Sequence, residues 1–447
     1  MASTVTTWIA AFCITGAVLA APPANLDYSG DCTRSGCHDS FSEQPVVHDP
    51  IGSCDVCHEV DDEAKHTFEL AASGAELCQE CHSAFEGKVP HGPAADGECL
   101  ACHDPHASKH KALLIDGQVE LCAGCHDDVT DGRSFLHGPA AAGDCTACHN
   151  PHASDHAKLL SDDEKAVCLD CHDAMGDRLA DSKHVHSVVE DGCTGCHDPH
   201  GAGNRMFTTE VGAPLCLSCH DGIGEAVEEA TVKHSAVTAG AGCAGCHDPH
   251  ASSFAGMLTR KQIDVCLSCH NKPIDTPGGK LSNIKALLAE SSVQHGPIAD
   301  GECVLCHAEV HGGERAELLG GAYPTSFYVG YSEDQYTLCF ECHDAEAFAS
   351  AETDDATQFR NGTQNLHFVH VSREIKGRSC GACHQVHASK QQHLIAEDVA
   401  FGQWRLPIGF RPTETGGTCA SGCHRVYRYD RENAVTNVPA AEPAAAT

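Results

Sequence analysis

Apolar residues along this chain fall into short, interrupted groups, with one exception near the start. In MASTVTTWIAAFCITGAVLAAPPA an apolar run extends from Trp8 to Ala20, with small residues before Pro22. It is too short to span a bilayer and resembles a secretory signal cleaved near Ala20 or Ala21, although no Lys or Arg precedes it. Residues 1–20 are therefore expected to be a signal peptide, taking Cys13 with them, and no other apolar stretch approaches membrane length. Further on, short amphipathic segments such as SDDEKAVCLDCH, where Ser161 and Glu164 suit a capping box, alternate with loops punctuated by HGP and DPH. This pattern predicts a coil-rich chain with short α-helices and little or no β structure.

Composition removes the usual source of stability. Only 5% of the 447 residues are aromatic and Met occurs four times, so a conventional core would be thin, whereas there are 31 Cys and 34 His. The formal charge of -35 disfavours nucleic acid and anionic membranes as partners. Once Cys13 is set aside, 30 cysteines remain, and they form fifteen pairs, each followed at once by His. Thirteen pairs read C-x-x-C-H. They are Cys54, Cys57 and His58; Cys78, Cys81 and His82; Cys99, Cys102 and His103; Cys122, Cys125 and His126; Cys145, Cys148 and His149; Cys168, Cys171 and His172; Cys193, Cys196 and His197; Cys216, Cys219 and His220; Cys243, Cys246 and His247; Cys266, Cys269 and His270; Cys303, Cys306 and His307; Cys339, Cys342 and His343; and Cys380, Cys383 and His384. Two are stretched: Cys32, Cys37 and His38 in CTRSGCH, and Cys419, Cys423 and His424 in CASGCH.

Two thiols one helical turn apart can reach the two vinyl groups of one haem, and the next His then swings under the iron as proximal ligand. Zinc would need four converging ligands, and disulfides would leave the histidines unexplained. About fifteen covalent haem c groups are therefore expected to form the interior. The other histidines keep register with the motifs. His48, His91, His137, His186, His234, His295 and His370 lie upstream of a motif, while His66, His106, His152, His200, His250, His311 and His387 lie shortly after a proximal His. These fourteen are candidate distal ligands. A His three residues past the proximal one lies on the same side of its own ring, so it should serve a neighbouring haem. His110, His156, His184, His367 and His393 are left over, and one of them could serve the N-terminal haem.

The register defines a unit of two motifs that occurs seven times. First motifs start at 54, 99, 145, 193, 243, 303 and 380, and the two motifs of a unit start 23 or 24 residues apart in five units, then 36 and 39 apart. The expected organisation is an N-terminal single-haem segment (21–45), five regular di-haem units (46–272), two enlarged units that contain GGAYPTSFYVGY and Trp404 (273–430), and a disordered tail (431–447).

Segments such as ECLACHDPH followed by VELCAGCH resemble the multihaem c-type cytochromes with doubled CxxCH motifs, and the likeness runs from Cys32 to His424. That resemblance implies export, periplasmic, outer-membrane or extracellular location, and mostly bis-His haems stacked in an elongated chain for long-range electron transfer at low potential. It also implies redox partner proteins: other cytochromes, an outer-membrane barrel, or further copies of the chain, as in a filament or a barrel-embedded wire. An electron-transfer protein is expected rather than an enzyme. A multihaem reductase is the alternative, its open iron sought first at Cys32 or Cys419, but the chain has no CxxCK variant and more His than irons.

Overall fold

The computed structural model describes residues 32, 33, 38–62, 65, 67–276 and 279–437; the signal segment, Cys13, Cys37, His66 and residues 438–447 lie outside the described residues. The chain is coil-rich, with short helices and no closed sheet. It divides into two compact units, Met1–Asp173 with Gly192–Thr209, and Ala174–Asp191 with Glu210–Thr447, and the same repeat builds both. Among the described residues no helix is long and apolar enough to cross a membrane.

Each regular motif is a helical turn. The first motif of a unit forms a 3-10 turn, as at Cys99–Ala101 and Cys145–Ala147, and the second ends a short α-helix, as at Gln118–Ala123 and Glu164–Leu169. In both, the proximal His N–H donates to the carbonyl of the first Cys, at 3.0 Å for His103 to Cys99 and 2.9 Å for His126 to Cys122. One turn thus carries both sulfurs and the imidazole. CTRSGCH still closes, with His38 N–H donating to Cys32 at 3.1 Å, whereas Cys419 lies on a strand, Gly416–Cys419.

The expected capping box at Ser161 and Glu164 does not form. Asp163 caps the helix by accepting from Lys165 N–H, and Glu164 instead accepts from the N–H groups of Cys193 (2.6 Å) and Thr194 (2.7 Å) and from the Thr194 hydroxyl (2.9 Å). Burial works to raise the Glu164 pKa, but these hydrogen bonds outweigh it and hold the carboxylate below its usual range.

Strands are short, and most consist of only two residues, yet they decide how successive repeats join. The residues before an upstream His pair antiparallel with the Ala-Ser or Gly-containing dipeptide after a downstream His: Val46–Val47 with Ala107–Ser108, Val89–Pro90 with Ala153–Ser154, Phe135–Leu136 with Gly201–Ala202, His184–Val185 with Ala251–Ser252, Val232–Lys233 with Gly312–Gly313, and Val293–Gln294 with Ala388–Ser389. The Ala and Ser of these ladders are among the few buried residues. Ala388 is 0% and Ala251 2% exposed, and Ser108, Ser154, Ser252 and Ser389 each donate a hydroxyl to a carbonyl six residues on. Among the described residues a conventional apolar cluster appears in the enlarged C-terminal units, where Ala396, Val399 and Ile408 pack with Phe327, Leu406 and Phe410. Trp404 takes no part in it and is 61% exposed.

Candidate functional site

The motif histidines stand opposite other histidines, with ring planes close to parallel. Six second-motif imidazoles stand opposite the upstream His of their own unit: His82 with His48, His126 with His91, His172 with His137, His220 with His186, His270 with His234, and His343 with His295. Five first-motif imidazoles stand opposite the downstream His of the following unit: His58 with His106, His103 with His152, His149 with His200, His247 with His311, and His307 with His387. Centroids in these pairs are 5.9–6.4 Å apart and ring planes are inclined by 0–26°. Metal–imidazole bonds of about 2.0–2.1 Å, with each nitrogen roughly 1.1 Å from its ring centre, place two axial imidazoles about 6.2 Å apart. The pairs therefore fit one iron between each two rings.

The second ring nitrogen is held as well. Nδ1 of the first-motif histidines donates to a carbonyl nine or ten residues on: His103 to Ala112 (2.8 Å), His149 to Lys158 (2.9 Å), His197 to Met206 (2.9 Å), His247 to Gly256 (2.7 Å), His307 to Glu317 (2.7 Å) and His384 to His393 (2.9 Å). Five of these acceptors have left-handed backbone, with φ from 54° at Glu317 to 66° at Gly256. A conformation costly for side-chain-bearing residues recurs where a carbonyl must be aimed. Upstream histidines donate Nδ1 across the ladder to the residue before the downstream His, His48 to Pro105 at 2.8 Å and His91 to Pro151 at 2.7 Å among them. Each such bond fixes the tautomer and leaves Nε2 as the ligating atom. His250 keeps the local setting of its counterparts, its N–H donating to Asp248 at 3.0 Å.

Burial lowers the pKa of His367 to about 3 and of His387 to about 4, and pulls down His106, His152, His200, His270, His295, His311, His370 and His384. These imidazoles are kept neutral, as ligation requires.

His367, one of the five histidines outside the repeat register, takes the place that a downstream histidine holds in the other first-motif pairs. It faces His384 at 6.4 Å, and its Nδ1 is 2.8 Å from the Thr357 hydroxyl. His370, one turn along the same helix (Leu366–Val371), donates Nδ1 to Leu366 at 2.7 Å and is close enough to His424 for their charges to interact. Of the other leftovers, His110 lies 3.9 Å from Asp116, His156 lies 3.7 Å from Asp162, His184 belongs to a strand pair, and His393 contributes only its carbonyl.

The attachment cysteines of consecutive motifs also meet. The first Cys of a second motif sits thiol against thiol with the first Cys of the next unit: Cys78 with Cys99, Cys122 with Cys145, Cys168 with Cys193, Cys266 with Cys303, and Cys339 with Cys380. Within units, Cys102 neighbours Cys125, Cys148 neighbours Cys171, Cys246 neighbours Cys269, Cys306 neighbours Cys342, and Cys383 neighbours Cys423. The described cysteines are all free of disulfides.

Six segments of the chain match the doubled CXXCH motif: residues 48–87, 91–131, 137–177, 186–225, 234–274 and 295–348. Together they cover more than half of its length, and each begins on an upstream histidine or its equivalent. No curated protein matches the chain.

Proposed function

Because this chain belongs to the doubled CXXCH motif family, and is thereby a multihaem c-type cytochrome suited to electron transfer, we propose that it is a long-range electron conduit through about fifteen haem c groups, most of them bis-His. The observation that carries this reading is the approach of thiol to thiol between the second motif of one unit and the first motif of the next, with cysteines of the two motifs within a unit near enough to influence one another's charge. Haems bound through cysteines this close would be held as neighbours, and a series of such neighbours would supply a hopping path. Haem c supplies a one-electron couple at each site.

The residues have separable duties. The thirty motif cysteines hold the rings through thioethers. His38, His58, His82 and their counterparts through His424 are the proximal ligands. The upstream and downstream histidines, together with His367, are the distal ones. Nδ1 bonds to carbonyls orient each imidazole and raise its basicity, and saturation by two imidazoles favours low reduction potential. The signal-like residues 1–20 support export to the periplasm or beyond, where other redox proteins would be donor and acceptor.

Reductive titration of the purified chain should show about fifteen haems, nearly all low-spin, and intact mass should report the same number. A large high-spin fraction overturns the assignment. An open-site reductase is the second reading, and one observation directs it to the C-terminal motif: Tyr427 stacks on His424 at 4.6 Å, unlike the paired pattern elsewhere. Carbon monoxide binding to the reduced protein separates the two readings, since iron with two imidazoles does not bind it.

A further inference from the structure

The two ends of the chain carry opposite charge. Between Arg34 and Lys65 there are eight acidic residues and no basic one. Of these, Glu43, Asp49, Asp55 and Glu59 are exposed and have no ion-pair partner among the described residues. Residues 360–431 hold ten of the 28 Lys and Arg but only five of the 63 Asp and Glu, so this region is positive within a chain of charge -35.

The basic charge is sorted onto one face. In the three-stranded sheet of Phe410–Pro412, Gly416–Cys419 and Tyr427–Asp430, Phe410, Cys419 and Tyr427 are in register, and so are Arg411, Thr418 and Arg428. Residues opposite one another share a face and neighbours along a strand alternate, so the attachment Cys419 lies on one side and the two arginines on the other. Arg411 and Arg428 are exposed and form no ion pair among the described residues, in contrast to Arg405, which pairs with Asp398.

We propose that this arginine face docks on the acidic N-terminal segment of a second copy of the chain, joining copies head to tail. The chain itself supplies both halves of the complementary pair: the acidic half runs across the first two motifs, at Cys32 and Cys54, and the basic half flanks the last, at Cys419. The contact deepens the conduit reading, on which it rests, because it brings the last motif of one copy beside the first motif of the next. Such a contact is heterologous and adds copies one after another until the rotation between them closes a ring or an open filament grows.

The test is sedimentation of the haem-loaded full chain. Charge complementarity between exposed groups is screened within about 10 Å at 0.1 M salt, so self-association should be present near 20 mM salt and weaken at least about tenfold near 500 mM. Arg411→Glu with Arg428→Glu should weaken it at least about tenfold at low salt, and so should Glu43→Lys with Asp55→Lys. Mixing the two charge-reversed chains should restore association between them. A chain that stays monomeric at every concentration, variants that associate like the parent, mixing that restores nothing, or binding only to some other acidic protein would each overturn the proposal. The haem spectrum of the same samples reads the conduit separately. Low-spin spectra without self-association defeat this inference alone, and a high-spin parent chain defeats the conduit.

Discussion

His106 illustrates what one imidazole does here. It faces His58 at 6.0 Å, lies three residues beyond the proximal His103 of a different site, and is flanked by Phe41 at 4.7 Å. Removing it strips one ligand from one iron and leaves its own motif intact. His106→Ala should therefore yield one high-spin, carbon monoxide-binding haem per chain, read from the difference spectrum of the reduced protein, while His110→Ala, which faces no other imidazole, should yield none. The same rule, in which the downstream His of one unit serves the first motif of the unit before it, can be run back one step. It assigns His66 to the N-terminal iron at His38, so His66→Ala should also give one high-spin haem. If that spectrum stays low-spin, another residue takes the place and the N-terminal segment is not a truncated repeat.

At the scale of elements the sequence was legible in chemistry and less so in pairing. Motif spacing exposed the repeat and singled out the eleven upstream and downstream histidines that stand opposite a motif imidazole, because covalent attachment ties ligand positions to Cys positions. It could not say which repeat pairs with which. Strands of two residues carry no alternation to read, and in the ladders between repeats their partners lie 60 or more residues away, as for Val46 with Ser108. Left-handed backbone at Ala112 or Lys158 was hidden for a similar reason: nothing in the local composition demands it, and only the need to present a carbonyl to His103 or His149 explains it. Ser161 and Glu164 fit a capping box locally, but the backbone of Cys193 and Thr194 competed for the Glu164 carboxylate and won. That contact ties the helix before one motif to the next motif, so Glu164→Ala should leave two part-buried N–H groups without their partner and lower stability by about 1 kcal/mol, measured by thermal unfolding of the haem-loaded chain. The ladders are equally intolerant of bulk. Ala388 is 0% exposed beneath the strand pair that carries His295 and His387, and Ala388→Leu should cost about 1–3 kcal/mol by overpacking. An unchanged melting temperature would mean that the ladders contribute little.

For the whole molecule, the pattern of lending has a consequence that no single repeat possesses. The first-motif imidazoles of His58, His103, His149, His247 and His307 each face a histidine of the following unit, whereas the second-motif imidazoles of the regular pairs face one of their own, so a cut after such a unit should expose one iron and not two. A chain ending at residue 290 retains eleven motifs, keeps His234 opposite His270, and loses His311 from opposite His247. It should therefore carry eleven haems, one of them, at His247, open to carbon monoxide. In the unit of Cys380 and Cys419, the helix Leu366–Val371 places His367 opposite His384 from within the same unit. Replacing His367 by Ala in the intact chain should reproduce the open iron of the truncated one, at His384 instead of His247. If truncation instead opened two irons, or none, the lending rule would be wrong. If His367→Ala had no effect while truncation behaved as stated, the final unit would be closed by a different residue. The two chains together test whether the array is a set of independent di-haem modules or one continuous interlock.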